Sequence, residues 1–312
     1  GSEHVRFTII GMGKLGAQEL NYVSDVDLIY VVEPADKDVD HQTLIRVGTK
    51  MGTMLQRVCQ SAIMGVAEQP LWQIDGGLRP EGKDGALVRV LSSHKNYYEQ
   101  WAENWEFQAL LKARPVAGDP DLGQAYMDMT RRSCGAHPSA RTSLRLPENA
   151  QARGGLIPAP LKDREIKLGR GGLRDVEFTV QMLQLVHGRT DESLRTSNTL
   201  DSLQRLSEGG YVSRKQAVRM SQDYRFERVM EHRQQIWSLK RTHLFPDSAG
   251  PRSEASKRSA TSTWTSSTRT RSCADSPAHS ACTRKNSSTS TTTPAAKSRQ
   301  PKMPQAPCTK LH

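Results

Sequence analysis

Two apolar runs near the start of the chain, Phe7–Ile10 and Leu28–Val32, flank a glycine-rich loop and a pair of acidic residues. The pair is Asp25 and Asp27, directly before the second run. Side chains at positions i and i+2 of a strand share a face, so these two carboxylates can bind one metal ion. Neighbouring carboxylates repel each other unless a cation lies between them, and oxygen ligands beside phosphates suit Mg²⁺. The pattern therefore indicates a site for nucleotidyl transfer.

A third acid stands at the end of another short apolar segment. Residues Leu71–Asp75 predict a strand, and the glycines and proline of Gly76–Gly85 predict a turn-rich loop after it. Several carboxylates commonly surround the metals of a phosphoryl-transfer site, so Asp75 is a candidate third ligand, although a strand-end cap would use the same residue. Arg79 and Lys83 in the loop suit either a phosphate partner or simple exposure to solvent.

Apolar residues at steps of three and four predict helices along most of the remaining chain. The predicted helices are Asp40–Ala62, Ser93–Ala113, Pro120–Arg131, Leu173–His187, Leu200–Leu206 and Ser213–Leu239. Within the second of them, Tyr97, Trp101 and Trp105 form a stripe, for which packing in the core is favoured over stacking on a base. The region after residue 117 is expected to be all-helical.

Two stretches lack this periodicity. Residues 133–158 show no sustained apolar pattern, and beyond Pro246 well over a third of the residues, 25 of 66, are Ser or Thr. Such a tail buries too little apolar surface to offset its chain entropy, so disorder is predicted from about Ser248. A sharper hypothesis is that both stretches are out-of-frame translations, which the other reading frames of the gene would test.

The charge of the chain is concentrated in that tail. Of the net +11 carried by 312 residues, residues 251–312 contribute +9, from eleven Lys or Arg against Glu254 and Asp275. The remaining residues are nearly neutral, which argues against nucleic acid as a partner. Five cysteines without paired spacing indicate the cytoplasm, and no apolar run reaches the roughly 20 residues that span a membrane.

The loop Gly11-Met12-Gly13-Lys14-Leu15-Gly16 fits the glycine pattern of dinucleotide-binding proteins. Only Ala17–Ser24 separate it from the acidic pair, whereas a crossover between parallel strands needs about ten to twelve residues. The glycines more plausibly let backbone N–H groups approach a triphosphate, with Lys14 adding a positive charge. A purely structural tight turn is the alternative.

Together these motifs resemble the glutamine synthetase adenylyltransferase family. The resemblance covers about Val5–Phe245 apart from the irregular stretch, and its motifs occur in the family's order. They are the glycine loop, Glu19-Leu20-Asn21, Ser24-Asp25-Val26-Asp27, Asp75 with Leu78-Arg79-Pro80, Trp105-Glu106, Lys112-Ala113-Arg114, and Lys167-Leu168-Gly169-Arg170-Gly171-Gly172 continuing to Phe178.

The resemblance implies an α+β fold. It would comprise a polymerase-β-like nucleotidyltransferase domain over residues 1–117, an all-helical bundle over 118–247 and the disordered tail over 248–312. It also implies that Asp25, Asp27 and Asp75 are catalytic and hold Mg²⁺. The implied nucleotide-binding residues are Gly11, Gly13, Lys14, Ser24 and Arg79.

The motif that begins at Lys167 is similar to the N-terminal half of these enzymes, which implies removal of AMP from a tyrosine of glutamine synthetase. Inorganic phosphate would be the attacking group and ADP the product. The alternatives are the forward reaction with ATP, and a non-catalytic docking module for glutamine synthetase or the PII signalling protein. Family members hold two such halves and this sequence shows one, so its activity alone is an open expectation.

Overall fold

A mixed sheet forms the first part of the protein. The computed structural model describes residues 4–36, 38–61, 71–136 and 157–245. The strands are β1 Val5–Gly11, β2 Val26–Pro34, β3 Ile74–Asp75, β4 Val88–Val90 and β5 Arg114–Gly118. Their order is β3-β2-β1-β5, and β4 also pairs with β2. Strand β2 runs antiparallel to β1 and parallel to β3 and β4, so the first two strands do not form the parallel crossover unit of dinucleotide-binding folds.

Strand β2 lies at the centre of the sheet and is apolar on both faces, as a doubly covered strand must be. Leu28, Tyr30 and Val32 pack into one core, and Ile29 and Val31 pack into the other. The first core is covered by α2 (His41–Gln60), which begins one residue after its predicted start because Asp40 is its N-cap. Its glycines bring the helix close to β2, because a Cβ on Gly48 would lie 2.6 Å from Cγ1 of Val32.

The opposite face of the sheet is covered by α3 (Leu91–Gln100), α4 (Asn104–Leu110) and α5 (Pro120–Ala136). The predicted single helix Ser93–Ala113 is wrong, because Glu103 and Glu106 form a capping box that starts a new helix. Because of this break, Tyr97, Trp101 and Trp105 do not lie on one face of a single helix. Trp101 is 72% exposed, so the core-packing prediction fails there, and the core is filled instead by Tyr98 and Phe107.

Several predicted boundaries shift. Only Ile74 and Asp75 of the predicted strand Leu71–Asp75 pair with β2. Helix α5 continues to Ala136, past the point where irregular structure was expected to begin. The rest of that stretch up to residue 156, and the tail from residue 246, lie outside the described residues. The predicted domain boundary at 117/118 falls within β5 and stays a prediction.

The second part of the described chain is helical. It contains α6 (Leu173–His187, the predicted bounds), α7 (Thr199–Glu208) and α8 (Arg214–Ser238). One apolar cluster joins them, formed by Val180, Leu194, Leu203, Leu206 and Ala217. The buried face of α6 is partly polar, since it includes Glu177, whereas Val186 is 36% exposed. No helix in the described ranges is long and apolar enough to cross a membrane.

Candidate nucleotidyl-transfer site

Two of the predicted site acids lie side by side at the edge of the sheet. Asp27 of β2 and Asp75 of β3 are register partners in a parallel strand pair, so their side chains point to the same face. Asp25 lies two residues before Asp27, at the entry to β2. Burial, with the added charges of Asp75 and Asp25, raises the pKa of Asp27 to about 6. The sheet register therefore brings the three acids close enough to interact electrostatically.

The three carboxylates do not form a ready-made metal site, however. The carboxylate of Asp25 is bonded to Nη1 of Arg241, and Oδ1 of Asp75 accepts a 2.7 Å hydrogen bond from the backbone N–H of Gly77. Among the described residues, no group of three or more His, Cys, Asp or Glu side chains is arranged to hold a metal ion. Metal binding by Asp25, Asp27 and Asp75 remains a prediction.

The surroundings of Asp27 fit a hard divalent cation. The side chain is largely buried and, within the described residues, receives no hydrogen bond that would compensate its charge. The glycine loop lies directly above it. Gly13 has a φ of +51°, and a Cβ there would lie 2.6 Å from Oδ2 of Asp27. A divalent ion held by Asp27 and Asp75 would supply the missing compensation, and carboxylate oxygens are the ligands that Mg²⁺ prefers.

The glycines of the loop permit close backbone packing. Gly13–Gly16 form the short helix α1, and Gly11 is the last residue of β1. A Cβ on Gly16 would lie 1.8 Å from the carbonyl oxygen of Lys112, and a Cβ on Gly11 would lie 2.7 Å from Val116. These contacts account for the glycines as structural residues, the alternative that the sequence left open. Contact of the loop with a triphosphate is untested and stays a prediction.

Lys14 does not point toward the acids of the sheet edge. Its Nζ lies 3.2 Å from Oε2 and 3.3 Å from Oε1 of Glu231 on α8. Burial lowers the pKa of Lys14 to about 8, although the charges of Glu177 and Glu231 oppose this shift. The cation that the sequence assigned to a phosphate therefore joins the glycine loop to the helical part.

The remaining predicted nucleotide-binding residues make local contacts. Arg79 donates to the backbone carbonyls of Gly76, Lys83 and Gly85 at 2.7, 2.8 and 3.1 Å, so its guanidinium holds the loop after Asp75 in shape. The hydroxyl of Ser24 donates to the carbonyl of Asp25 at 2.9 Å. In this structure both residues support the acidic edge of the sheet from within their own loops.

A buried charge cluster between the two parts was not predicted. Its centre is Glu231, a fully buried residue that contacts Lys14, Arg228 and His243 and accepts a 2.9 Å hydrogen bond from Asn21. Burial alone would raise the pKa of Glu231, but the bond with His243 and the charges of Lys14 and Arg228 lower it well below its usual range. Periodicity does not reveal this cluster, because acids within a polar helix are typical of a solvated face.

A second polar cluster lies next to the first. Glu19 accepts hydrogen bonds from the backbone N–H of Thr199 at 2.8 Å and from Nζ of Lys112 at 3.3 Å. Glu177 accepts a 3.0 Å hydrogen bond from the hydroxyl of Tyr224 and lies 3.9 Å from Lys112. Both clusters involve the residues that follow the glycine loop, so the helices α6, α7 and α8 fix that loop against the sheet.

A cavity of about 370 Å³ lies elsewhere, between α5, the end of α6 and the residues that lead into α7. Its walls include Arg114, Met127, Gln184, Arg195 and Asn198. The guanidinium group of Arg114 donates hydrogen bonds to the backbone carbonyls of Leu15 and Gly16, and that of Arg195 donates to the carbonyl of Gly188. None of the predicted site residues lines this cavity.

Comparison with known proteins shows which family the chain resembles. The family model described as glutamate-ammonia ligase adenylyltransferase matches residues 1–129, and the one described as GlnD PII-uridylyltransferase matches residues 146–270. A bifunctional glutamine synthetase adenylyltransferase/adenylyl-removing enzyme of Bifidobacterium longum (strain DJO10A) is 90% identical over 248 residues, which are 79% of this chain and 23% of the relative. Over this region the chain is similar to members of the glutamine synthetase adenylyltransferase family.

Two less similar relatives with the same description match the same part of the chain. The enzymes of the same description from Cutibacterium acnes and Mycolicibacterium smegmatis are 54% and 51% identical over 245 and 249 residues. Each match covers 78% of this chain, and 24% and 23% of the respective relative. The chain therefore spans about a quarter of the length of these family members.

Proposed function

We propose that this chain carries out Mg²⁺-dependent adenylyl transfer on a tyrosine of glutamine synthetase, in the direction that removes AMP. In this reaction an oxygen of inorganic phosphate attacks the adenylyl phosphorus, the bond from phosphorus to the tyrosine oxygen breaks, and ADP and the free tyrosine leave. The carrying observation is the in-register pair Asp27 and Asp75, which places two carboxylates side by side below the glycine loop.

In the proposed site, Asp27 and Asp75 would hold the metal, and Asp25 would join them on release from Arg241, which it contacts in this structure. The bound metal would neutralise charge on the transferring group and align the attacking and leaving oxygens. The chain itself does little covalent work. Its contribution is a rigid acidic edge, because Arg79 and the N–H of Gly77 fix the loop that carries Asp75.

The test is a turnover assay that measures the removal of AMP and the attachment of AMP separately. Adenylylated glutamine synthetase with Mg²⁺ and phosphate should yield ADP, and unmodified enzyme with Mg²⁺ and ATP should yield pyrophosphate only if the forward reaction runs instead. Asp27→Asn should abolish either activity. Asp121→Asn, a change of the same kind at an exposed position of α5, should leave it intact. ADP formation that survives Asp27→Asn would refute the proposal.

A second candidate is a docking module for glutamine synthetase or the PII protein. It is favoured by the match of residues 146–270 to a family whose description names PII, and by Val229, Ile236 and Trp237 on α8, which are 46%, 53% and 63% exposed. Binding of either protein without turnover would support it. The proposed compartment is the cytoplasm, where ATP and glutamine synthetase occur together.

A further inference from the structure

The ammonium group of Lys167 has no hydrogen-bonding or ion-pair partner among the described residues of the helical part. Its side chain is largely buried, yet within the described residues its ammonium forms no hydrogen bond or ion pair. A desolvated ammonium costs free energy unless a partner compensates it. Burial is the main cause that lowers the pKa of Lys167, and the charges of Glu177 and Glu231 act in the opposite direction.

Those two acids are already supplied with partners. Glu231 contacts Lys14, Arg228 and His243, and Glu177 is bonded to the hydroxyl of Tyr224. Neutralising the acids of the helical part therefore does not account for the position of Lys167. An anionic ligand would supply the pairing partner that its ammonium lacks in the described chain.

A second cation has donors to spare. Arg241 is half-exposed, and only its Nη1 contacts Asp25. In the part of the chain that the structure describes, its Nε and Nη2 make no hydrogen bond. An Nε–Nη2 edge carries parallel N–H groups that match two oxygens of a phosphate.

The backbone places these two cations at the same end of a short ribbon. Arg164 pairs with Phe245, since the N–H of Phe245 donates to the carbonyl of Arg164 at 2.8 Å, and the N–H of Ile166 donates to the carbonyl of His243 at 2.9 Å. Lys167 directly follows Ile166 and Arg241 lies two residues before His243, so the two cations lie close together, and the charge of Arg241 helps to lower the pKa of Lys167. The contact of His243 with Glu231 at 3.0 Å fixes the ribbon to α8.

The ribbon end faces the acids of the sheet. Arg241 contacts Asp25, and the charges of both Lys167 and Arg241 act on Asp27, where they oppose the rise of its pKa. The acids that would hold a metal and these two cations therefore lie within electrostatic range of each other. A phosphate group has the charge and the oxygens to contact both a metal and the two cations.

We propose that Lys167 and Arg241 form a phosphate-binding subsite opposite the acidic edge of the sheet. Lys167 supplies a point charge, and the free edge of Arg241 holds two oxygens of the group. The location of this subsite rests on the proposed function, but its binding can be measured without turnover. The phosphate is either the inorganic ion or part of a nucleotide.

The experiment is a ³¹P NMR titration of the full chain with inorganic phosphate and, separately, with ATP, both in Mg²⁺. Lys167→Gln and Arg241→Gln should each weaken binding roughly ten- to hundredfold, as expected for a lost hydrogen bond to a charged group. Lys240→Gln is the matched control, because Lys240 is exposed and adjacent to Arg241, and it should change the affinity less than about twofold. Melting temperature should not fall in Lys167→Gln, since the ammonium has no partner to lose and its burial is unfavourable.

The two ligands distinguish the sources of the phosphate. A loss seen with inorganic phosphate assigns the subsite to the attacking group, and a loss seen only with ATP assigns it to the nucleotide. Equal affinities in Lys167→Gln, Arg241→Gln and Lys240→Gln for both ligands would overturn the subsite. Turnover assays run in parallel separate the two proposals, since binding that depends on Lys167 without any turnover would refute the function and keep the subsite.

Discussion

Replacing Asp27 with asparagine is expected to stabilise the metal-free chain at neutral pH. Burial and the neighbouring charges of Asp75 and Asp25 raise the pKa of Asp27 from 3.8 to about 6. Below pH 3.8 this carboxyl group is protonated in both the folded and the unfolded state. As the pH rises from there to about 6, the unfolded state releases the proton more readily than the folded state, so folding stability falls. Above that pH the wild-type site therefore carries an uncompensated charge.

The size of the effect follows from the shift. Roughly 2 pKa units at 1.36 kcal/mol each set an upper limit of about 3 kcal/mol. Because solvent reaches part of the side chain, a gain of about 1–2 kcal/mol is expected at pH 7.5. Asparagine has the same shape as aspartate, so the contact with Gly13 is preserved and the charge is the only large change.

The assay is urea unfolding followed by circular dichroism, at several pH values from 4 to 8 and in EDTA. The difference in unfolding free energy between Asp27→Asn and wild type should be near zero at pH 4, grow between pH 4 and about 6, and level off at higher pH. Asp121→Asn should show no such change. Adding Mg²⁺ should stabilise the wild type and shrink the difference, since the ion compensates the carboxylates.

A difference that does not vary with pH would refute the electrostatic reasoning. A variant that is strongly destabilised at every pH would show that Asp27 is a structural residue, and the case for a metal at this position would fail with it.

Three further perturbations test the surrounding structure. Glu231→Gln should destabilise the chain by about 3 kcal/mol in urea unfolding, because it leaves buried cations without their acid, whereas the exposed Glu208→Gln should change stability by less than about 0.5 kcal/mol. Burial lowers the pKa of His94 to about 3, so the wild type should lose about 2 kcal/mol between pH 7 and 5, and His94→Phe should remove that loss in acid titrations. Gly13→Ala should cost about 1–3 kcal/mol more than Gly210→Ala in thermal unfolding; both glycines have positive φ, but only at Gly13 would a Cβ meet Asp27.

The acidic edge of the sheet could be predicted because the sequence signals that indicate it are local. Alternation in β2 assigned Asp25 and Asp27 to one face, and the end of a separate apolar segment marked Asp75. The bounds of α6 and, to within one residue, the start of α2 were also readable from periodicity. Each of these inferences spans a few residues, over which backbone geometry determines where side chains point.

The same reasoning failed where contacts between residues far apart in the chain determine the structure. A spacing of four made Trp101 a core residue, but the capping box at Glu103 ended the helix and left the ring in solvent. Lys14 was assigned to a phosphate because it lies in a glycine loop, whereas its partner, Glu231, is more than 200 positions away. Helix α8 is rich in Arg and Gln, and its composition gave no sign that it buries a charged face.

These long-range contacts also connect the two sides of the candidate site. Glu231 binds Lys14 of the glycine loop, and through His243 it fixes the ribbon that carries Arg241. The loop lies over Asp27, and Arg241 lies against Asp25. One buried acid on α8 therefore positions the parts of the site that come from the sheet and from the ribbon. Because a buried charge requires all of its partners, a shift of α8 would disturb both sides together, which explains why the acidic edge and the helical part should act as one unit.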